Sequence, residues 1–274
     1  MKLAISGKGG VGKTLLAAAL SRAFAASGYS VFAIDADPDT NLAASLGFPH
    51  PEDITPISEM KELIEERTGV KPGQPGSMFK LNPDVADIPE KYARRLDGIR
   101  LMVMGKMKSG GSGCYCGENT LLQTLLVHLL VVRNEVVILD MAAGIEHLGR
   151  ATAKAVDKLL IVVEPGRKSL DTALRIRKLA ADIGLTRIVV IGNKVRNDAD
   201  RDFIIAGLPG FDFLGFLPYD PAIIDSEVAG DLSWDASSVI NQAVRDICQK
   251  LLADDTVAGA GPAGTDHADS GGAL

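Results

Sequence analysis

The run Gly7-Lys8-Gly9-Gly10-Val11-Gly12-Lys13-Thr14 combines flexible backbone, two cations and a hydroxyl in the arrangement that handles phosphate. Its glycines let the chain curl until N–H groups converge on phosphate oxygens. Lys13 can then neutralise the β and γ phosphates of a nucleotide, and the Thr14 hydroxyl can ligate Mg²⁺. A glycine turn that merely links two elements is the alternative. Context argues against it, because the run follows a short apolar segment and opens a helical pattern.

Carboxylates and amides recur at comparable places. Asp35 and Asp37 close a second apolar run in IDADPDTN, ahead of Asp39, Thr40 and Asn41. Asp140 ends EVVILD and is followed by Ala143 and Gly144. Asn193 and Lys194 stand in GNKV, and Pro218 in the loop LPYD from Leu217 to Asp220. Cys114 and Cys116, one residue apart in GGSGCYCG, are soft donors suited to Zn²⁺ or Ni²⁺, whereas Cys248 falls on an apolar helical face and reads as core. Glu146 and His147 could ligate a metal, but a single histidine at a polar helix start is more often a surface or capping residue.

These residues need elements to position them. The spacing predicts strands over 2–6, 31–35, 100–104, 136–140, 159–163, 188–192 and 213–217, each a short apolar run bounded by turn-formers. Helical periodicity covers 13–27, 58–67, 169–183 and 238–252, and the apolar cluster 121–132 reads as a buried helix. Alternation of this kind gives the α/β class: a single domain with a mostly parallel sheet flanked by helices on both faces. Functional residues then collect at the carboxyl edge of the strands. Residues 48–97, with seven prolines, interrupt the rhythm and are expected to lie over the sheet edge. The domain is expected to span 1–253, with a flexible Gly- and Asp-rich tail over 254–274.

Net charge −6 gives no footprint for nucleic acid. The cluster 121–132 is broken by Gln123, Thr124 and His128, so no membrane span is expected. Lys2 leads into a strand and a glycine loop rather than a signal sequence, and the expected location is the cytoplasm. Three cysteines are too few for a disulfide framework.

GKGGVGKT, with Lys8 after the first glycine, resembles the deviant Walker A loop of the MinD, ParA and nitrogenase iron protein group. That resemblance implies a P-loop ATPase working as a nucleotide-sandwich homodimer, with ATP or ADP and Mg²⁺ as cofactors. It implies that Lys8 reaches the partner's phosphates, as an arginine finger does. Asp37 would orient the attacking water, Asp35 would lie near Mg²⁺ through water, and Asn41 would steady that loop. Asp140 would hold the Mg²⁺ shell, Gly144 would stand in switch II, and Asn193 with the Pro218 loop would flank adenine.

Together with DMAAGIEHLGR, VVEPGRKSLDTALRI and LGFLPYDPAI, the Cys-x-Cys pair resembles the CooC-type ATPases that mature nickel enzymes, over about residues 1–252. The resemblance implies a metallochaperone whose client is apo carbon monoxide dehydrogenase or the related acetyl-CoA synthase. A closed tetrahedral site needs four donors, and two-fold symmetry would complete Cys114 and Cys116 to a shared Ni²⁺ or Zn²⁺ site. Two reduced thiols or a strained disulfide are the alternatives at that pair. An iron-sulfur carrier of the Mrp type would use Cys-x-x-Cys. A MinD- or ParA-like positioning ATPase would need a basic lipid- or DNA-binding surface.

Overall fold

The computed structural model describes residues 1–71, 78–106, 117–132, 135–145, 148–228 and 237–259. Cys114, Cys116, Glu146 and His147 lie outside them.

From the N-terminus, β1 (Lys2–Gly7) leads through the glycine loop into α1 (Lys13–Ala26), then β2 (Val31–Ala36) and the short α2 (Leu42–Ser45). Residues 48–97 hold α3 (Lys61–Thr68) and α4 (Ile88–Tyr92), and end in β3 (Arg94–Leu96), which turns into β4 (Ile99–Val103). Next come α5 (Gly117–Val132), β5 (Val136–Met141), α6 (Arg150–Ala153), β6 (Lys158–Val163) and α7 (Arg167–Asp182). β7 (Ile188–Val195), α8 (Asp198–Gly207), β8 (Asp212–Pro218), α9 (Pro221–Val228) and α10 (Ser238–Gly259) complete the chain.

The strands form one sheet in the order β3-β4-β2-β5-β1-β6-β7-β8. All pairings are parallel except β3 with β4. Side chains alternate across the sheet and so supply two cores. Leu3, Ile5, Ala33, Ile138 and Leu160 pack with Leu16, Leu20 and Phe24 of α1 and with Val244 and Ile247 of α10. Ala4, Phe32, Ile34, Leu139 and Ile161 face the opposite layer, with Leu122, Leu125 and Leu129 of α5 and Ala173 and Ile176 of α7. Burial on both faces is why the central strands read as continuous apolar runs.

The seven expected strands are all present; the eighth, β3, was not foreseen. It forms through Asp97 and Gly98, both at positive φ (47° and 79°), a two-residue hairpin turn of the primed type. The segment 48–97 does reach the sheet edge through β3, and it also builds core: Ile57, Leu63, Ile64, Val85 and Ile88 are buried in the layer that holds α5. α10 runs on to Gly259, beyond the expected stop at Leu252, and Asp254 accepts from Lys158 Nζ at 2.6 Å. Among the described residues, no helix is long and apolar enough to cross a membrane.

Candidate functional site

Parallel strands deliver their last residues to one edge, and there the sequence-selected groups meet. β1 hands over to the glycine loop, β2 ends beside Asp35, β5 beside Asp140, β7 carries Asn193 and Lys194, and β8 ends at Pro218. Asp35 and Asp140 are register partners across β2 and β5, and Ile5 faces Asp140 from β1.

Gly12 precedes α1 in a left-handed conformation, φ 92°. A side chain there would be strained, and its Cβ would stand 2.4 Å from Asn193 Nδ2. Asn193 is buried; its Nδ2 donates to the Val11 carbonyl at 2.7 Å, and its Oδ1 accepts from Lys194 N–H at 2.9 Å. The strand pattern predicted an end at Gly192, but β7 continues to Val195, so Asn193 belongs to the sheet and clamps the loop. Pro218 is the register partner of Val195, which sets the β8 loop beside that clamp. Lys194 adopts a left-handed backbone, φ 58°, and its Nζ donates to the Gly10 carbonyl at 2.7 Å. Val11 is fully buried and Lys13 nearly so.

Asp35 is fully buried, and its two oxygens accept from Leu42 N–H at 3.0 Å and Asp37 N–H at 3.2 Å. Burial drives its pKa up to about 7; the Leu42 N–H opposes that shift and the Asp140 charge adds to it. Asp35 thereby ties down the loop that carries half-buried Asp37. Asp37 Oδ1 in turn accepts from Asp39 N–H at 3.0 Å, and Asn41 Nδ2 donates to the Asp39 carbonyl at 3.1 Å.

Asp140 is also fully buried, and burial pushes it up to about 7, opposed by the nearby Thr14 hydroxyl and the Lys13 charge. Thr14 lies close enough to oppose the shift, yet neither Asp140 oxygen completes a hydrogen bond. A buried carboxylate with unmet acceptors beside a hydroxyl and a second carboxylate is a hard oxygen donor set, and it fits Mg²⁺. When bound, the ion would neutralise phosphate charge at this edge.

Two residues that the sequence pattern did not single out belong to the site. Ser6 Oγ donates to the Gly144 carbonyl at 3.0 Å and lies 3.3 Å from that of Ala142, holding the loop after β5 against β1. Glu164, directly after β6, accepts from Lys8 Nζ at 3.1 Å and from Lys194 Nζ at 3.3 Å. A charged residue closing a buried strand was the available signal for Glu164. Ser6 carried none. Among the described residues no group of three or more His, Cys, Asp or Glu side chains is placed to hold a metal ion.

A glycine loop between a central strand and a helix, a buried lysine, and a buried carboxylate closing the neighbouring strand define a P-loop nucleotide-binding protein. Residues 2–233 match the model of the CobQ/CobB/MinD/ParA nucleotide binding domain. The chain is 46% identical over 255 residues to the carbon monoxide dehydrogenase accessory protein CooC of Rhodospirillum rubrum, covering 92% of this chain and 95% of that one. It is 50% identical over 233 residues to an uncharacterized ATP-binding protein of Methanocaldococcus jannaschii, covering 84% and 90% of the two chains. The fold is shared with the MinD cell division protein of Aquifex aeolicus, with TM-score 0.65 and 23% identity over 92% of this chain and 97% of that one. The protein belongs to the MinD/ParA family of P-loop ATPases, as a CooC-type member.

Proposed function

We propose that this ATPase is a nucleotide-switched homodimeric metallochaperone that inserts nickel into carbon monoxide dehydrogenase or the related acetyl-CoA synthase. The observation that carries the reading is the Cys114-x-Cys116 pair just ahead of α5, in a chain 46% identical to CooC. Two thiolates from each of two chains would give one closed tetrahedral site for Ni²⁺ or Zn²⁺.

Within each nucleotide site, Gly7, Gly9, Gly10, Val11 and Gly12 would cradle the phosphates through their N–H groups. Lys13 would neutralise the β and γ oxygens. Thr14 and Asp140 would hold Mg²⁺, with Asp35 behind them, and Asp37 would orient the attacking water. Lys8 would act on the partner's phosphates. Gly144 would sense the γ phosphate, while Asn193, Lys194 and Pro218 would border the base. The buried, fixed position of Asp35 supports this use of Asp37, because it restrains the loop through two N–H groups.

β5 carries Asp140 at its end and is preceded by α5, which begins at Gly117, immediately after Cys116. Nucleotide state at the strand end can thus be linked to metal affinity at the cysteines, and by linkage the coupling must be reciprocal. The test is metal content and dimer fraction, measured with Zn²⁺ or Ni²⁺, with ADP and with ATP, against Cys114→Ser/Cys116→Ser. The expected result is one ion per dimer, lost in the double variant while ATP binding survives. An unchanged stoichiometry and affinity in that variant would remove the cysteines from the reading.

A further inference from the structure

The rim of the phosphate loop carries a three-residue charge array that the resemblance does not account for. Glu164 presents one oxygen to Lys8 (Oε1, 3.1 Å) and the other to Lys194 (Oε2, 3.3 Å). Lys194 is itself anchored on the Gly10 carbonyl at 2.7 Å. The backbone of Glu164 is fixed as well, its N–H donating to Ser169 Oγ at 3.1 Å. The carboxylate therefore sits on a rigid base, while Lys8 is held by a flexible stem.

In this arrangement the Lys8 ammonium is committed to its own chain. We propose that Glu164 is a positioning residue, a latch that holds Lys8 in cis and releases it to nucleotide phosphate when two chains close. The inference rests on the trans role of Lys8 given above. The magnitude suits a latch. The Lys8 side chain is 37% exposed and that of Glu164 24%, so solvent screens the pair and its worth is small. A dry, fully buried pair would lock Lys8 off. A screened one yields to a polyphosphate with more charge and more acceptor oxygens, yet keeps Lys8 from closing the dimer on weaker anions.

The experiment is a cycle of Glu164→Gln, Glu164→Asp and Lys8→Ala. It is read by sedimentation across a Mg-ATP series, by binding of a fluorescent ATP analogue to the monomer, and by turnover. Melting midpoints confirm that each variant folds. Glu164→Gln is expected to lower the ATP concentration for half-maximal dimerisation by about threefold to fivefold, the range that a screened pair supports. Glu164→Asp, which keeps the charge, restores much of the parent behaviour. In the Lys8→Ala background, Glu164→Gln leaves monomer nucleotide affinity unchanged. If Glu164→Gln tightens monomer binding equally with and without Lys8, Glu164 merely repels phosphate and the latch is refuted. No shift, or weaker dimerisation, refutes it as well. If Lys8→Ala alone dimerises and turns over like the parent, the trans role of Lys8 fails and the latch falls with it. Impaired Lys8→Ala with an inert Glu164→Gln removes the latch alone.

Discussion

Gly12→Ala tests whether β7 holds the phosphate loop in place. Two costs add. A non-glycine residue at φ 92° sits in the left-handed region at about 1–3 kcal/mol. The new Cβ, 2.4 Å from Asn193 Nδ2, also forces that buried side chain to rotate and lose its 2.7 Å bond to the Val11 carbonyl, about 1 kcal/mol. The total, about 2–4 kcal/mol, corresponds to a fall in melting temperature of about 4–8 °C for a chain of this size. Calorimetry without nucleotide reads it directly, and titration with ATP reads the accompanying loss of loop geometry. Asn193→Ala separates the two costs, because it removes both the obstacle and the bond. Gly12→Ala should then cost about 1 kcal/mol less in that background than in the parent. Strictly additive costs, or a Gly12→Ala protein that melts and binds ATP like the parent, would refute the clamp.

Two further outcomes follow from the titrating groups. Cys248 is 4% exposed and burial pushes its thiol up to about 12, so the reactive thiolate is scarce at about pH 8. Iodoacetamide followed by peptide mapping should therefore modify Cys248 only after denaturation; rapid labelling of the native chain would contradict its core position. Asp87 accepts from Lys91 Nζ at 2.7 Å and from Arg67 at 2.8 Å, and these two cations hold its carboxyl down at about 2, below the usual 3.8. A depressed folded-state pKa stabilises the protein above 3.8, and that contribution disappears as pH falls toward 2. Asp87→Asn should melt lower than the parent near neutrality, with the two curves converging over that acid window. A gap that stays constant into acid would mean that the ion pairs contribute nothing.

Why the parallel sheet could be read from sequence is plain in its burial. β2 is buried at every position and β1 at all but its first, so both appear as unbroken apolar runs ending where a polar residue is needed. β3 failed to appear because Arg94-Arg95-Leu96 is short, charged and half in water, with no apolar run of its own. Its signal lay instead in Asp97-Gly98, the dipeptide that suits a two-residue hairpin turn. α4 was hidden for another reason: proline-rich segments look like loops, yet Ile88 is anchored by tertiary burial. The boundary of β7 was misplaced because Gly192-Asn193 has turn-like local chemistry. A cross-sheet contact to Val11, 182 residues away, holds Asn193 in the strand.

The same distinction separates the parts of the site. Gly12, Lys13, Thr14, Asp35 and Asp140 could be found because each is tied to the end or start of its own element, so local spacing carries the information. Ser6 and Glu164 act across elements: Ser6 on the loop 138 residues later, Glu164 on lysines 156 residues before and 30 residues after it. Spacing in one sequence does not encode such partnerships, whereas strand order does. Placing β6 between β1 and β7 brings the residue after β6 between the loop of Lys8 and the strand of Lys194. Any acidic residue there is drawn to both cations, because the sheet fixes its distance from each. The charge state of the phosphate loop is therefore a property of topology, and a change at Glu164 would alter it without touching a residue of the glycine motif.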